Sequence, residues 1–382
     1  MLAKHKRRIR RNPQMTNHSQ FKYLHKRWLK QIHLNELECF STKHFDPRDF
    51  IKPLELASIE NTSITDACSY YRVQGQHIPS AELVLKQVRE IQPEVMDIYV
   101  NQVLRHQFYT LPREHRKYLK RSGVLIVDFH EDPYYGDRKN PEVIRRRLKQ
   151  STKHFYSYLT ADLYSPRGMQ TIAVRFQRPG ETISGLFWDL MAWVEMILTP
   201  KLILMDGEFS NVLVMVPLLQ DRIVFITRKD VSYRMRALAL TYELTDNWAQ
   251  YRRFHAVTIR EKQRRYHEIT IHVTFHLVKG KMKALAIPPF LQITPEEAVR
   301  MYKHRFAIET GYRDKHLFQA RTTSKHRSIR LMIFLFAISL WNLWQSFLLA
   351  VFPRTNRPLS RFACWRRQTR VIKRFLKRDE LL

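Results

Sequence analysis

The chain has 382 residues, enough for one large domain or two to three smaller ones, and its 44% hydrophobic and 12% aromatic content excludes a disordered chain. Lysine and arginine number 66 against 35 acids, a net charge of +31. That balance calls for a polyanionic partner, nucleic acid ahead of an anionic membrane surface.

Cys39, Cys68 and Cys364 lie far apart and form no CxxC, which speaks against a zinc ribbon and a disulfide framework and fits a reducing cytoplasm. The opening MLAKHKRRIRRNPQ is basic with no apolar run behind it, so no secretory signal is expected. Its like charges, Lys4 to Arg11, read either as an arm that orders on phosphates or as a solvated tail.

Residues 1–120 read as a helical, basic N-terminal region. Within it, SITDACSYYR (63–72), a turn with Gly75 and Pro79, and AELVLKQVREI behind Ser80 make a helical hairpin. Such a unit can set a helix in a major groove with Lys86 and Arg89 outward.

The character changes at Gly123. VLIVDF (124–129) predicts a buried strand delivering Asp128 to its exit, followed by a turn. Segments 154–164 and 169–176 predict two antiparallel strands joined around Pro166-Arg167-Gly168. An apolar helix (181–198) follows, then KLILMDGEF with Asp206 at a second strand end, a helix at 210–219 and a strand at 222–228. This order predicts a mixed α/β sheet with helices on its faces, where sites form outside the carboxyl ends of strands.

Residues 229–293 break that rhythm and read as a β-rich insertion. EITIHVTFHLV (268–278) alternates strictly and predicts one strand with His272, Thr274 and His276 on a solvated face. Trp248 and Tyr251 in this segment suit either core packing or stacking on an unpaired base.

TPEEAVRMYKHRFAIETGYRDK (294–315) opens with Thr294 as cap, Pro295 at the first position and Glu297 as capping-box acid, predicting one helix. Tyr302, Arg305, Glu309 and Arg313 fall on one stripe of it. The link FQARTTSKHRSIR (318–330) is basic and hydroxyl-rich, suited to phosphates. Residues 331–352 are long and apolar enough to span a membrane, but Ser339, Asn342, Gln345 and Ser346 interrupt them, so a buried core helix is expected. A basic tail, 353–382, closes the chain.

Three carboxylates converging in so cationic a chain need divalent cations to hold them together, and Asp128, Asp206 and Glu309 are the candidates. Two ions can activate a water or a 3′-hydroxyl and stabilise the leaving oxygen of a phosphodiester. No GxxxxGK[ST] occurs, which leaves ATP-driven chemistry unsupported.

Tyr302-x2-Arg305-x3-Glu309, behind VDFHEDPYYG around Asp128 and MDGEFSN around Asp206, resembles the DDE transposases of bacterial and archaeal insertion sequences, in particular the group named for its Tyr-Arg-Glu-Lys signature. The resemblance spans roughly 120–350. It implies a ribonuclease-H-like catalytic core (121–228 and 294–352) interrupted by the 229–293 insertion and preceded by the helical N-terminal domain. It implies a cytoplasmic prokaryotic enzyme that cleaves transposon ends and joins the freed 3′-hydroxyl to target DNA with Mg²⁺ or Mn²⁺, as a dimer or larger assembly and with no membrane. Asp128, Asp206 and Glu309 would hold the metal, and Tyr302 and Arg305 would contact the DNA end. The signature lysine is expected seven residues after Glu309, where this chain has His316, so the phosphate ligand falls to Arg313 or Lys315. A nuclease without strand transfer and a non-catalytic DNA-binding derivative are the alternatives.

Overall fold

The computed structural model describes residues 42–231 apart from 138, short pieces between 23 and 40, most of 250–287, and 288–351. The basic arm through Arg11, the tail from 353, Trp248 and the Tyr251 side chain lie outside the described residues.

Local sequence signals open the helices of the N-terminal region. Asp46 and Asp49 form a capping box that starts α1 (Pro47–Glu60), and Ser63 and Asp66 form another that starts α2 (Ile64–Val73). Ser80 accepts from the Leu83 amide and starts α3 (Ala81–Glu90). The predicted hairpin is therefore present, with Val84 and Val88 of α3 buried and Lys86 and Arg89 exposed. After α4 (Pro93–Thr110), α5 (Arg113–Ser122) ends at Gly123, whose φ of 61° is left-handed backbone that suits glycine.

The sheet begins there. β1 (Val124–Tyr134) pairs antiparallel with β3 (Thr152–Ser165), whose other edge carries β2 (Ile144–Lys149) and β4 (Gly168–Gln177). Helix α6 (Ile183–Glu195) then returns the chain to β5 (Leu202–Met205), which lies parallel to β1. Helix α7 (Val212–Gln220) leads to β6 (Phe225–Lys229), parallel to β5. The result is a mixed α/β sheet.

Two expectations change here. β1 continues to Tyr134, so Asp128 lies inside a strand; what ends beside it is the pairing of β1 with β5, whose last partners are Val127 and Met205. The β-rich segment is also not separate from the sheet. Its single predicted strand splits into β9 (Gln263–Ile269) and β10 (His272–Val278). β9 pairs with β8 (Phe254–Arg260) in a sheet of two, while β10 pairs with β11 (Lys281–Ile287) and with β7 (Gln250–Tyr251). β11 joins β6, so this hairpin extends the main sheet. Its predicted solvated face is covered, with Thr274 buried, because α8 (Pro295–Tyr302) lies against β10 and β11.

Side chains alternate along β1, and the alternation divides the interior in two. Leu125 and Val127 join a core under α6 and α7. Ile126 joins the other, which includes α1–α4 and the 25-residue α10 (Arg327–Val351). The N-terminal helices thus share a core with the last helix instead of forming a detached domain. Within α10's apolar window, 89% is buried in protein, as a core helix would be. Three of the polar residues that interrupt it have partners: Gln345 and Ser346 bond to Met169 and Gln170, and Asn342 accepts from the Thr171 amide at 2.9 Å and donates to the Thr171 carbonyl at 2.9 Å. Asn101 of α4 does the same for Val174, with bonds of 2.8 and 2.9 Å. β4 is an edge strand, and these two amides satisfy backbone groups that its edge would otherwise leave unpaired.

Asn342→Leu removes two of those bonds at a buried edge and leaves a donor and an acceptor unsatisfied. A loss of about 2–4 kcal/mol in denaturant unfolding is expected, at roughly 1–3 kcal/mol for each orphaned group with some relaxation.

Candidate active site

The predicted 294–315 helix is not continuous. Its capping box forms as expected, but a 3-10 turn at Lys303–Arg305 separates α8 from α9 (Phe306–His316). This change of pitch lets Tyr302 and Arg305 turn inward together: both are buried, and the guanidinium of Arg305 lies 5.6 Å from the Tyr302 ring centre.

Asp128 and Asp206 follow Val127 and Met205, the last residues paired between the parallel strands β1 and β5, and so stand side by side where those two strands part, while β1 itself runs on beside β3. Beyond Asp206 the chain enters a 3-10 turn, Gly207–Phe209, and Thr227 of β6 donates to the Asp206 carbonyl at 2.9 Å. Arg146 of β2 binds Glu208 in that turn at 2.8 Å and Glu131 of β1 at 3.2 Å, which fixes the turn to the sheet. Glu309 comes from α9 and is exposed.

Arg305 links the cluster. It donates to Asp128 Oδ2 at 2.6 Å and to Glu309 Oε1 at 3.3 Å. Burial pushes Asp128 up from the usual 3.8 to about 7; Arg305 opposes this, and the nearby Asp206 and Glu309 charges add to it. Burial likewise raises the Tyr302 hydroxyl, with Asp206 and Asp128 adding to the shift. Three polar atoms here, Asp206 Oδ1, the Tyr302 hydroxyl and Arg305 Nε, are buried with no hydrogen-bond partner among the described residues. Like-charged carboxylates, one of them an orphaned oxygen, beside a single bridging cation form a donor set that fits a divalent cation.

Of the expected site residues, Asp128, Asp206, Glu309, Tyr302 and Arg305 come together. Arg305 is turned onto the carboxylates, so in this conformation it does not face outward to a DNA end. Arg313 is exposed on α9, one turn beyond Glu309. Lys315 departs from expectation. It is fully buried, its ammonium 2.8 Å from Asp162 Oδ1 and held over the Tyr312 and Trp341 rings. Such a lysine is committed inside the protein and presents no charge to a phosphate.

Asp162 and Tyr312 were not singled out from sequence, although Asp162 is the one acid of a strand that is buried almost throughout, a position that demands a partner. Thr160 donates to Asp162 Oδ2 at 2.8 Å, and Thr171 donates to Oδ1 at 2.5 Å. The Tyr312 hydroxyl lies 2.8 Å from both Thr160 Oγ1 and the Asp128 carbonyl. A buried chain of contacts therefore runs from Lys315 to the backbone of Asp128.

A second feature fits the basic link. A cleft of about 680 Å³ opens beside α3, with Arg89, Lys139, Ser324 and Lys325 around it and Asp137 and Glu142 on its wall. No family model matches the chain, and no curated protein matches it either.

Two measurements follow from this geometry. Lys315→Met leaves Asp162 buried without its cation and should destabilise the fold by about 3–5 kcal/mol, whereas a phosphate ligand would lose DNA affinity and little stability. Asp128 has a folded-state value near 7 against 3.8 when unfolded, so the folded protein holds the extra proton between those pH values. Its contribution is present at low pH and is lost as pH rises through about 7. Asp128→Asn cannot ionise, so across pH 4–8 its stability should gain progressively on that of wild type, as read by chemical denaturation.

Proposed function

We propose that the chain is a DDE-type DNA transposase that cleaves transposon ends and transfers the 3′-hydroxyl into target DNA. The observation that carries this reading is the meeting of Asp128, Asp206 and Glu309 from two parallel strands and a helix, with an orphaned Asp206 oxygen among them. Fold supports it more weakly, since folds host many activities. Three antiparallel strands, β4-β3-β1, continue into the parallel β5 and β6, as a ribonuclease-H-like core requires, and the β7–β11 segment falls between the second and third acids.

Asp128, Asp206 and Glu309 would hold Mg²⁺ or Mn²⁺. Bound there, the metal supplies a Lewis acid for the scissile phosphate and lowers the proton affinity of the attacking hydroxyl. The chain's own residues do the rest. Arg305 bridges Asp128 and Glu309, and were those acids held by a metal its guanidinium would be available to substrate phosphates. Tyr302, with its hydroxyl unpaired beside the acids, supplies a donor for a phosphate oxygen. Arg313, exposed one turn past Glu309, continues the phosphate track along α9. The net charge of +31 and the cleft beside α3 supply sequence-independent attraction for the flanking duplex. The reading places the protein with DNA in a prokaryotic cytoplasm, as a homodimer on paired ends.

Asp128→Ala, Asp206→Ala and Glu309→Ala should each lower Mg²⁺-dependent cleavage and joining by more than about 100-fold, beyond the effect of losing only an outer partner of a metal site. DNA binding in a gel-shift assay should survive. Retention of end joining by all three variants would overturn the assignment. Cleavage without joining, even from a pre-cut 3′-hydroxyl end, would make the protein a nuclease.

A further inference from the structure

β1 and α9 meet at a second cluster, further along both elements than the carboxylates. His130 and Asp132 project from the same face of β1 as Asp128, two and four residues on. His316 projects from the last turn of α9, seven residues after Glu309. The ligand-capable atoms of His130, Asp132 and His316 all lie within 4.8 Å of one another.

The separate distances decide what this cluster can be. His130 Nε2 is 3.1 Å from Asp132 Oδ1, a hydrogen bond. His316 Nε2 is 3.9 Å from the same oxygen, too far for one. A simple buried His–Asp strut needs one imidazole, yet a second is brought to the same oxygen from another element. Ligand atoms around a tetrahedral ion with bonds of about 2.0–2.1 Å stand roughly 3.3 Å apart, so both separations need only small adjustment. The surroundings resemble an outer shell. Gln319 donates to the other oxygen, Asp132 Oδ2, at 2.6 Å, and its side chain also lies against the His316 imidazole as a hydrogen-bond partner. The His130 ring is stacked on Phe334 at 5.0 Å, which fixes its plane. His130 and Asp132 are buried, while the His316 side chain is 43% exposed and leaves a route for an ion.

We propose that His130, Asp132 and His316 form a binding site for a zinc-class divalent transition metal, separate from the Asp128–Asp206–Glu309 cluster. Two imidazoles with one carboxylate favour Zn²⁺ and its neighbours over Mg²⁺, which prefers oxygen ligands and water. Gln319 Oε1 or water would complete the shell. An ion there clamps α9 to β1 and so fixes Glu309 relative to Asp128. The site stands or falls independently of the transposase reading.

The test uses untagged full-length protein stripped with a chelator and titrated calorimetrically with Zn²⁺. Wild type should bind one equivalent that excess Mg²⁺ does not displace, and Zn²⁺ should raise its melting temperature. His316→Ala, which changes a half-exposed side chain, should remain folded by circular dichroism and bind Zn²⁺ at least tenfold more weakly, with the melting shift gone. Asp128→Asn should bind Zn²⁺ as wild type does. Equal Zn²⁺ affinity in wild type and His316→Ala would overturn the proposal. So would loss of Zn²⁺ binding in Asp128→Asn, because the ion would then belong to the carboxylate cluster.

Discussion

The buried Lys315–Asp162 pair is the contact on which the site's geometry depends. A charge pair with no solvent access gains little net stability, because desolvation offsets most of its attraction. What it enforces is placement: α9 cannot slide or rotate on the sheet without stranding one charge or the other. Thr160, Thr171 and Tyr312 complete the arrangement by satisfying the remaining oxygen positions and reaching the Asp128 carbonyl. Glu309 lies on the helix so held, and Asp128 lies on the strand beside it. The acids are therefore set by a polar anchor underneath them, in a region where packing alone would permit neighbouring registers.

Charge balance above the anchor is the second constraint. Asp128, Asp206 and Glu309 repel one another, and Arg305 is the cation that the chain itself supplies. Because Arg305 reaches Asp128 and Glu309, Asp206 Oδ1 remains without a hydrogen-bond partner among the described residues. Three carboxylates beside one guanidinium leave the cluster short of positive charge and so receptive to more. Additional positive charge can enter without first being matched by new negative charge. Leu125 and Val127 of β1 point into the opposite core, away from the acids.

Much of the fold was legible because its signals are local. The cap at Ser80 and the capping box at Thr294 marked helix starts, and apolar runs around Val127 and Leu204 marked buried strands. The acids at 128 and 206 were readable for the same reason, being polar ends to apolar runs. What failed was non-local. No local pattern tells that β11 will pair with β6, so the 229–293 segment was legible as a β-rich insertion but not as one that extends the main sheet. Nor does strict alternation reveal that α8 covers the second face of β10. β2, an arginine-rich strand, lacked the apolar alternation that would announce it, because one of its faces serves Arg146 in bridging Glu131 and Glu208.

The least legible point was the end of α9, where three neighbouring cationic or near-cationic residues compete for one expected role. Successive helical residues are rotated by about 100°, so Arg313, Lys315 and His316 cannot share an environment. Lys315 points under the helix to Asp162, Arg313 to solvent, and His316 toward Asp132 of β1. Spacing from Glu309 would have chosen His316, and chemistry would have chosen Lys315. Only the direction of each side chain separates the roles, and that direction is set by which neighbour needs a partner. Asp162, fully buried in β3, takes the lysine because a flexible ammonium can reach it; Asp132, already held by His130 and Gln319, is approached by an imidazole instead. A residue's role at this helix end is therefore a property of the acid opposite it, and reading that acid requires the strand pairing that brings β1 and β3 beneath α9.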